Sequence, residues 1–239
     1  MCIPTTAGSS ADVSQFAIIT DENTRRKFAI ISKTMIADLA LIDPETTLSM
    51  GPELTAATGL DALCHAFESY VSNASSVMTD IYALEATKLL AEYLPKAYDH
   101  PDNLVYRDKV MLGSMYAGLA FSNASLGLVH AMAHSLGGYK DSPHGECNAQ
   151  LLCPVVQFNY PFASEKYEAL EKAMLRGKAP EESGPGALLK ELQKINEHLG
   201  IEPGLSHMGV KRMTLKPLHQ MHSRIRALLL TPTLQVLKI

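Results

Sequence analysis

No two cysteines in this 239-residue chain are spaced as CxxC, and the four present, Cys2, Cys64, Cys147 and Cys153, follow no framework spacing. That leaves a thiolate zinc site and a disulfide scaffold without support, so reduced and mostly buried thiols are expected. Also missing are an uncharged apolar run near the roughly 20 residues that a bilayer span needs, and an opening with the zones of a signal peptide. The expectation is a cytoplasmic protein with no membrane partner. Positive charge is not in excess: the net charge is −4 and the isoelectric point near 6.1, so no basic field invites nucleic acid or an anionic surface. One absence is local. No Asp or Glu follows Glu202, while Lys211, Arg212, Lys216, Arg224, Arg226 and Lys238 do. Such a break reads either as a basic surface helix or as an ending, residues 213–239, that is not the natural continuation of the fold, for example after a shifted reading frame.

The length suits one large domain, or one domain with a piece of another. Cys2 to Ser10 reads as a strand end entering a small-residue turn, and further strands are predicted at Phe16–Thr20, Phe28–Ser32 and Leu39–Ile42, the last stopped by Asp43-Pro44. From Gly51 the spacing turns helical. Pro52 suits a first turn, and Leu60, Leu63, Cys64, Phe67 and Tyr70 share related faces of a helix reaching about Val71. Further helices are predicted at about 77–98, 103–122, 126–136, 145–158, 164–175 and 186–199. Gly137-Gly138 and Gly200 fall where C-caps are expected, and Arg176 to Gly186 reads as an exposed loop. The predicted fold class is mainly α, an all-helical body at 51–212 preceded by a few strands at 1–50.

Four of the nine histidines lie in an apolar, glycine-punctuated region. Asp61 and His65, at i and i+4, place a carboxylate and an imidazole on one helix face, the spacing of two metal ligands or of a simple hydrogen-bonded pair. His130 and His134 repeat the spacing among small and apolar residues, where burying imidazoles is costly unless they are paired or metal-bound. A single histidine there would be read as a core residue satisfied by a carbonyl; two on one face favour a site. His144, after Pro143 and before Gly145, is by itself a turn residue. Three imidazoles with one carboxylate suit borderline divalent ions, Fe(II), Zn(II) or Co(II), over Mg or Ca. A Lewis acid there would stabilise an alkoxide, which is consistent with dehydrogenase chemistry.

Two segments carry a resemblance. Gly59 to Glu68 resembles the G-[LMV]-D-A-L-x-H-A-x-E element, and Gly127 to Gly137 the G-x-x-H-x-M-A-H-x-L-G element, of the iron-containing (group III) alcohol dehydrogenases. The likeness runs from the start to about residue 212. It implies the helical metal-binding domain of a dehydroquinate synthase-like fold, preceded by strands left from an α/β cofactor domain. It further implies Asp61, His65, His130 and His144 as ligands of Fe(2+), or of Zn(2+), with His134 beside the substrate as a proton relay. Pro4-Thr5-Thr6-Ala7-Gly8 resembles the family's turn at the nicotinamide, so Thr5, Thr6, Ser14 and Lys27 are its implied contacts to NAD or NADP. The implied partner is a small primary alcohol or its aldehyde, and family analogy suggests homo-oligomers.

Two departures shape the expectation. The turn continues Ser9-Ser10-Ala11-Asp12 where the family usually has T-G-S-E, as in a subgroup linked to ethanol oxidation. The G-G-G-S-x-x-D phosphate loop of the cofactor domain is not in the chain, so a truncated dehydrogenase that binds metal but holds NAD poorly is expected. Two alternatives stand beside it. A zinc-dependent glycerol dehydrogenase-like or dehydroquinate synthase-like enzyme typically has fewer histidine ligands, and a non-catalytic helical remnant would bind metal or a partner without turnover.

Overall fold

Helix α1 (Pro52–Val71) is the axis around which the chain is wound. Pro52 fills its first turn, where no N–H is needed, and from Gly59 to Val71 every residue is buried. A helix buried on all sides has neighbours on all sides. α2 (Val77–Asp99) and α3 (Leu104–Ala124) pack with it as a three-helix core; α4 (Leu128–Lys140), α5 (His144–Asn159), α6 (Ser164–Met174) and α7 (Pro185–His198) close around them. The computed structural model describes residues 1–21, 23, 26–140, 142–177, 184–206 and 208–210. Residues 213–239 and most of the predicted 176–186 loop lie outside the described residues. No helix among those described is long and apolar enough to cross a membrane.

Local chemistry sets the helix starts. Ser76 and Thr79 form a reciprocal capping box on α2, and Asn103 accepts from the Val105 and Tyr106 amides at the head of α3. The buried guanidinium of Arg107 ties α3 to the approach of α1, donating to Met50 O, Pro101 O and Thr55 Oγ1 at 2.8–3.0 Å. Leu60, Leu63, Phe67, Leu90 and Leu94 are almost fully buried in the core, each worth about 1.5–3 kcal/mol on burial. All four cysteines are free, Cys64 and Cys147 buried.

Ahead of the helices, β1 (Phe16–Asp21) and β2 (Arg26–Ile31) form an antiparallel hairpin, paired from Phe16↔Ile31 to Asp21↔Arg26. Strand alternation sorts its side chains. Phe16, Ile18, Ala29, Ile31 and Lys27 look toward α4 and the space beside it, while Ile19, Phe28 and Ile30 share the outer face, where Phe28 is 50% exposed. Gln15, just before β1, anchors the hairpin to α3 through Ser122.

Two predicted features differ. Leu39–Ile42 does not form a strand; its pairing is one parallel bridge, Cys2↔Ala40, with no further strand to extend it among the described residues. Gly137-Gly138 does not end a helix, because α4 continues through both to Lys140. A Cβ on Gly137 would stand 3.3 Å from Lys27 Nζ and 3.4 Å from Ser142 O, so that glycine admits close neighbours instead of terminating a turn. Gly200 does follow α7 in the left-handed conformation, φ 71°.

The first turn of α5 lies against α1 through Gly145, where a Cβ would meet Ala57 O at 2.1 Å. Gly145→Ala must push α5 away from α1. We expect it to destabilise the chain by about 1–3 kcal/mol, despite the better helix propensity of alanine. Urea unfolding checks this, and unchanged or increased stability would contradict the close approach.

Candidate metal centre

Three helices deliver the site. α1 presents Asp61 and His65 one turn apart, α4 presents His130 and His134, and α5 begins with His144. Asp61 Oδ1 lies 3.6 Å from His65 Nε2, 3.4 Å from His130 Nε2 and 3.7 Å from His144 Nε2. The ligand atoms of Asp61, His65 and His130 all fall within 4.8 Å of one another, and all three residues are buried; His144 reaches Asp61 but stands outside that triplet. His65 is sandwiched between rings, stacked on Phe121 at 4.3 Å and on His130 at 4.6 Å. His134 stacks on His144 at 4.9 Å and is edge-on to His130.

Burial and mutual charge act together here. Burial alone would raise the Asp61 carboxyl, but His65, His130 and His144 outweigh it and hold the group far below the usual carboxylate range. Burial lowers His65 to about 3, His134 to about 2 and His144 to about 4, with neighbouring imidazoles pushing the same way. His130 moves in the opposite direction. Burial opposes its charge, yet hydrogen bonds donated to Asp61 and Glu68 raise it to about 9.

Two residues of the centre were not assigned from sequence. The Glu68 carboxylate accepts from the backbone amides of Gly127, Val129 and His130 at 3.0, 2.5 and 3.3 Å, and its Oε2 lies 2.7 Å from His130 Nδ1. With Nδ1–H given to Glu68, His130 turns Nε2 toward Asp61. The available signal was spacing: Glu68 follows His65 by three on the same face of α1. Asn148, one turn after His144 on α5, sets its side-chain amide against Asp61, His130 and His144.

The donor set fits a divalent ion. Buried carboxylates are expected to have full countercharge, yet Asp61 and Glu68 share one imidazole drawn toward charge, His130, while the other two facing Asp61, His65 and His144, are held neutral. His144 Nδ1 is buried with no hydrogen-bond partner. Nitrogen and oxygen donors mixed in this way suit Fe(II) or Zn(II).

Above the cluster opens a cavity of about 580 Å³. Its walls are mostly apolar, with Phe16, Ile31, Met35, Phe121 and Leu126 among them, and Asp61, His65, His130, His134 and His144 reach into it. Ser14 and Lys27 line it from the hairpin side. Thr5 and Thr6 do not line it; they precede Ala7 and Gly8, which are buried against α1, and a Cβ on Gly8 would strike the Thr58 backbone.

Comparison with known proteins agrees with this architecture. The family model described as "Fe-containing alcohol dehydrogenase family, C-terminal" matches residues 55–231, past Met213 into the basic end, and "Iron-containing alcohol dehydrogenase" matches residues 1–44. A helical body with an Asp–His cluster behind a strand hairpin, matched over this span, defines the class: the chain belongs to the iron-containing alcohol dehydrogenase family. Among its relatives is alcohol dehydrogenase 4 of Schizosaccharomyces pombe, 42% identical over 211 residues, which cover 88% of this chain and 50% of that protein. The lactaldehyde reductase of Escherichia coli K12 is 37% identical over 223 residues, 92% of this chain and 58% of the reductase. A crystal structure of a 1,3-propanediol oxidoreductase superposes with a TM-score of 0.88 at 34% identity, over 93% of this chain and 59% of that one. The chain thus spans between half and about three-fifths of the length of these relatives.

The titration shifts have opposite consequences for the metal-free chain. His65, His134 and His144 sit below the ordinary 6.5, so their contribution to stability is complete above about pH 6.5 and is lost as pH falls toward 4 and lower. His130 sits above it, so its contribution is complete below about pH 6.5 and is lost as pH rises through 9. The melting temperature of metal-free protein should therefore peak near neutrality, and His130→Ala should flatten the alkaline decline. Identical declines from pH 7 to 9.5 in wild type and variant would contradict the assignment of that limb to His130.

Proposed function

We propose that this chain forms the metal-binding, substrate-facing part of an alcohol dehydrogenase that exchanges hydride between a small primary alcohol, or its aldehyde, and NAD or NADP. One observation carries the reading: imidazole nitrogens from three helices converge within 3.7 Å of a single buried carboxylate oxygen at the floor of an apolar cavity. Asp61, His65, His130 and His144 would hold the ion, Fe(2+) or Zn(2+) by their donor chemistry, with the family's description favouring iron. Bound there, the metal supplies Lewis acidity to an alcohol oxygen, and the nicotinamide supplies the hydride acceptor. The names of the relatives, an alcohol dehydrogenase, a lactaldehyde reductase and a 1,3-propanediol oxidoreductase, support a small alcohol or aldehyde as substrate.

The chain's own residues supply the rest. Glu68 holds the proton on His130 Nδ1, leaving Nε2 for the metal side. The apolar wall limits water at the reacting carbon. His134 borders the cavity, and its neutral imidazole, which can accept at one nitrogen while donating from the other, is the group assigned to relay the hydroxyl proton outward. Lys27 and Ser14 face the same space from the hairpin and are assigned to the cofactor side, with Thr5 and Thr6 as contacts beyond the cavity wall. In this proposal residues 51–212 are the catalytic helical domain and residues 1–50 belong to the cofactor-binding domain.

Metal analysis of anaerobically purified protein by mass spectrometry tests the centre. Near-stoichiometric iron or zinc is expected in wild type, falling about 10-fold or more in Asp61→Ala and His130→Ala while the helical circular dichroism is kept. A folded wild type that takes up no divalent metal refutes the proposal.

A further inference from the structure

Asn148 is fully buried on α5, and the two ends of its side-chain amide are used very differently. Nδ2 lies 2.6 Å from Asp61 Oδ1 and 3.2 Å from both His130 Nε2 and His144 Nε2. Oδ1 is buried without any hydrogen-bond partner. A buried polar atom left unpaired is a standing cost, and a leucine of similar size would avoid it. The arrangement is retained only if the N–H end does something the apolar side chain cannot. The polar atoms it meets are one from each of the three helices that build the centre.

The amide has two hydrogens for its neighbours. The short contact, to the carboxylate, takes one N–H and the other turns to His144 Nε2; His130 Nε2, itself directed at Asp61 Oδ1, stands beside the amide without accepting from it. Turning the amide over would set Oδ1 against Asp61 Oδ1, oxygen against oxygen, so the orientation is fixed by Asp61 itself. Asn148 also occupies the turn after His144, behind the contact of Gly145 with Ala57 that brings α5 to α1. Its placement therefore depends on the same close approach that delivers His144.

On the reading that Asp61 and the histidines hold a divalent metal, we infer that Asn148 is the positioning residue of the centre. It donates to Asp61 Oδ1 and holds that oxygen and the Nε2 atoms of His130 and His144 converged, before and independently of loading. The Asp61 contact is the one that persists when the imidazole lone pairs are taken up. The role passes through the ligands, with no direct part in the reaction, and resembles the outer-shell partners whose loss weakens metal sites about 10–100-fold.

The test is titration of the metal-free full chain with Co(II) and with Zn(II) against a competing chelator, together with the visible absorption of the Co(II) form. Asn148→Leu keeps the volume and removes the donor; Asn148→Ala serves the same test should the leucine variant not fold. Leu152→Ala, one turn further along α5, controls for packing, since it removes buried apolar contact without touching the cluster. Expected are a roughly 10–100-fold weaker dissociation constant and an altered Co(II) spectrum in the Asn148 variants. Leu152→Ala is expected to melt earlier with wild-type metal affinity and spectrum. Asn148 variants that bind within two-fold of wild type with an unchanged spectrum overturn the inference and leave the metal reading standing. A wild type that binds neither ion overturns both.

Discussion

Glu68 receives four N–H groups on two oxygens, three of them from the first turn of α4 and its approach, the fourth from the imidazole of His130. The amides at a helix start have no partners inside their own helix, and here they are buried, so a carboxylate from another element is what makes that start tolerable. Each amide left unpaired would cost about 1–3 kcal/mol. Because Glu68 lies on α1 with Asp61 and His65, the same contact fixes the height of α4 relative to the other donors. The entry to α4 agrees with this. Ser125, at φ 64°, turns the chain sharply out of α3, and within three residues α4 has begun beneath the carboxylate.

The consequence is a buried ionic cluster with little freedom. Asp61 and Glu68 both lie inside the helical body, and the described groups that meet their charge are imidazoles, backbone amides and the amide of Asn148. Burial drives three histidines toward neutrality while the carboxylates draw His130 toward charge. Such a cluster holds as a set: its members meet one another's charge, His65 stacks on both Phe121 and His130, and His144 Nδ1 and Asn148 Oδ1 stay unpaired.

Much of this is legible in the sequence. Helical spacing and cap residues locate the seven helices found among the described residues to within a few residues, because long periodic segments with proline at the start or glycine after the end leave few alternatives. Asp61 with His65, and His130 with His134, were visible as i, i+4 pairs. Glu68 and Asn148 were harder. An isolated glutamate on a buried helix face, or an asparagine one turn after a histidine, gains meaning only from a partner on another helix, and single-helix spacing carries no such information. The same limit misread Gly137-Gly138: glycine after a periodic run resembles a cap, and only the neighbours, Lys27 and Ser142 O, reveal a close approach. The bridge at Cys2 and Ala40 shows the complementary case, an apolar run with strand-like composition whose pairing stops after one contact.

The hairpin of β1 and β2 is apolar on both faces, but its faces serve different neighbours. Phe16, Ile18 and Ile31 wall the cavity, whereas Ile19, Phe28 and Ile30 point the other way. Strand pleating keeps the two sets of side chains mechanically separate, since adjacent residues never share a face. Handling properties and chemistry are therefore written on alternate letters of the same twelve residues. Replacing Ile19 or Phe28 by threonine makes the exposed ribbon less adhesive while retaining β-branched or strand-compatible backbone preference, and it leaves the wall facing the metal centre untouched.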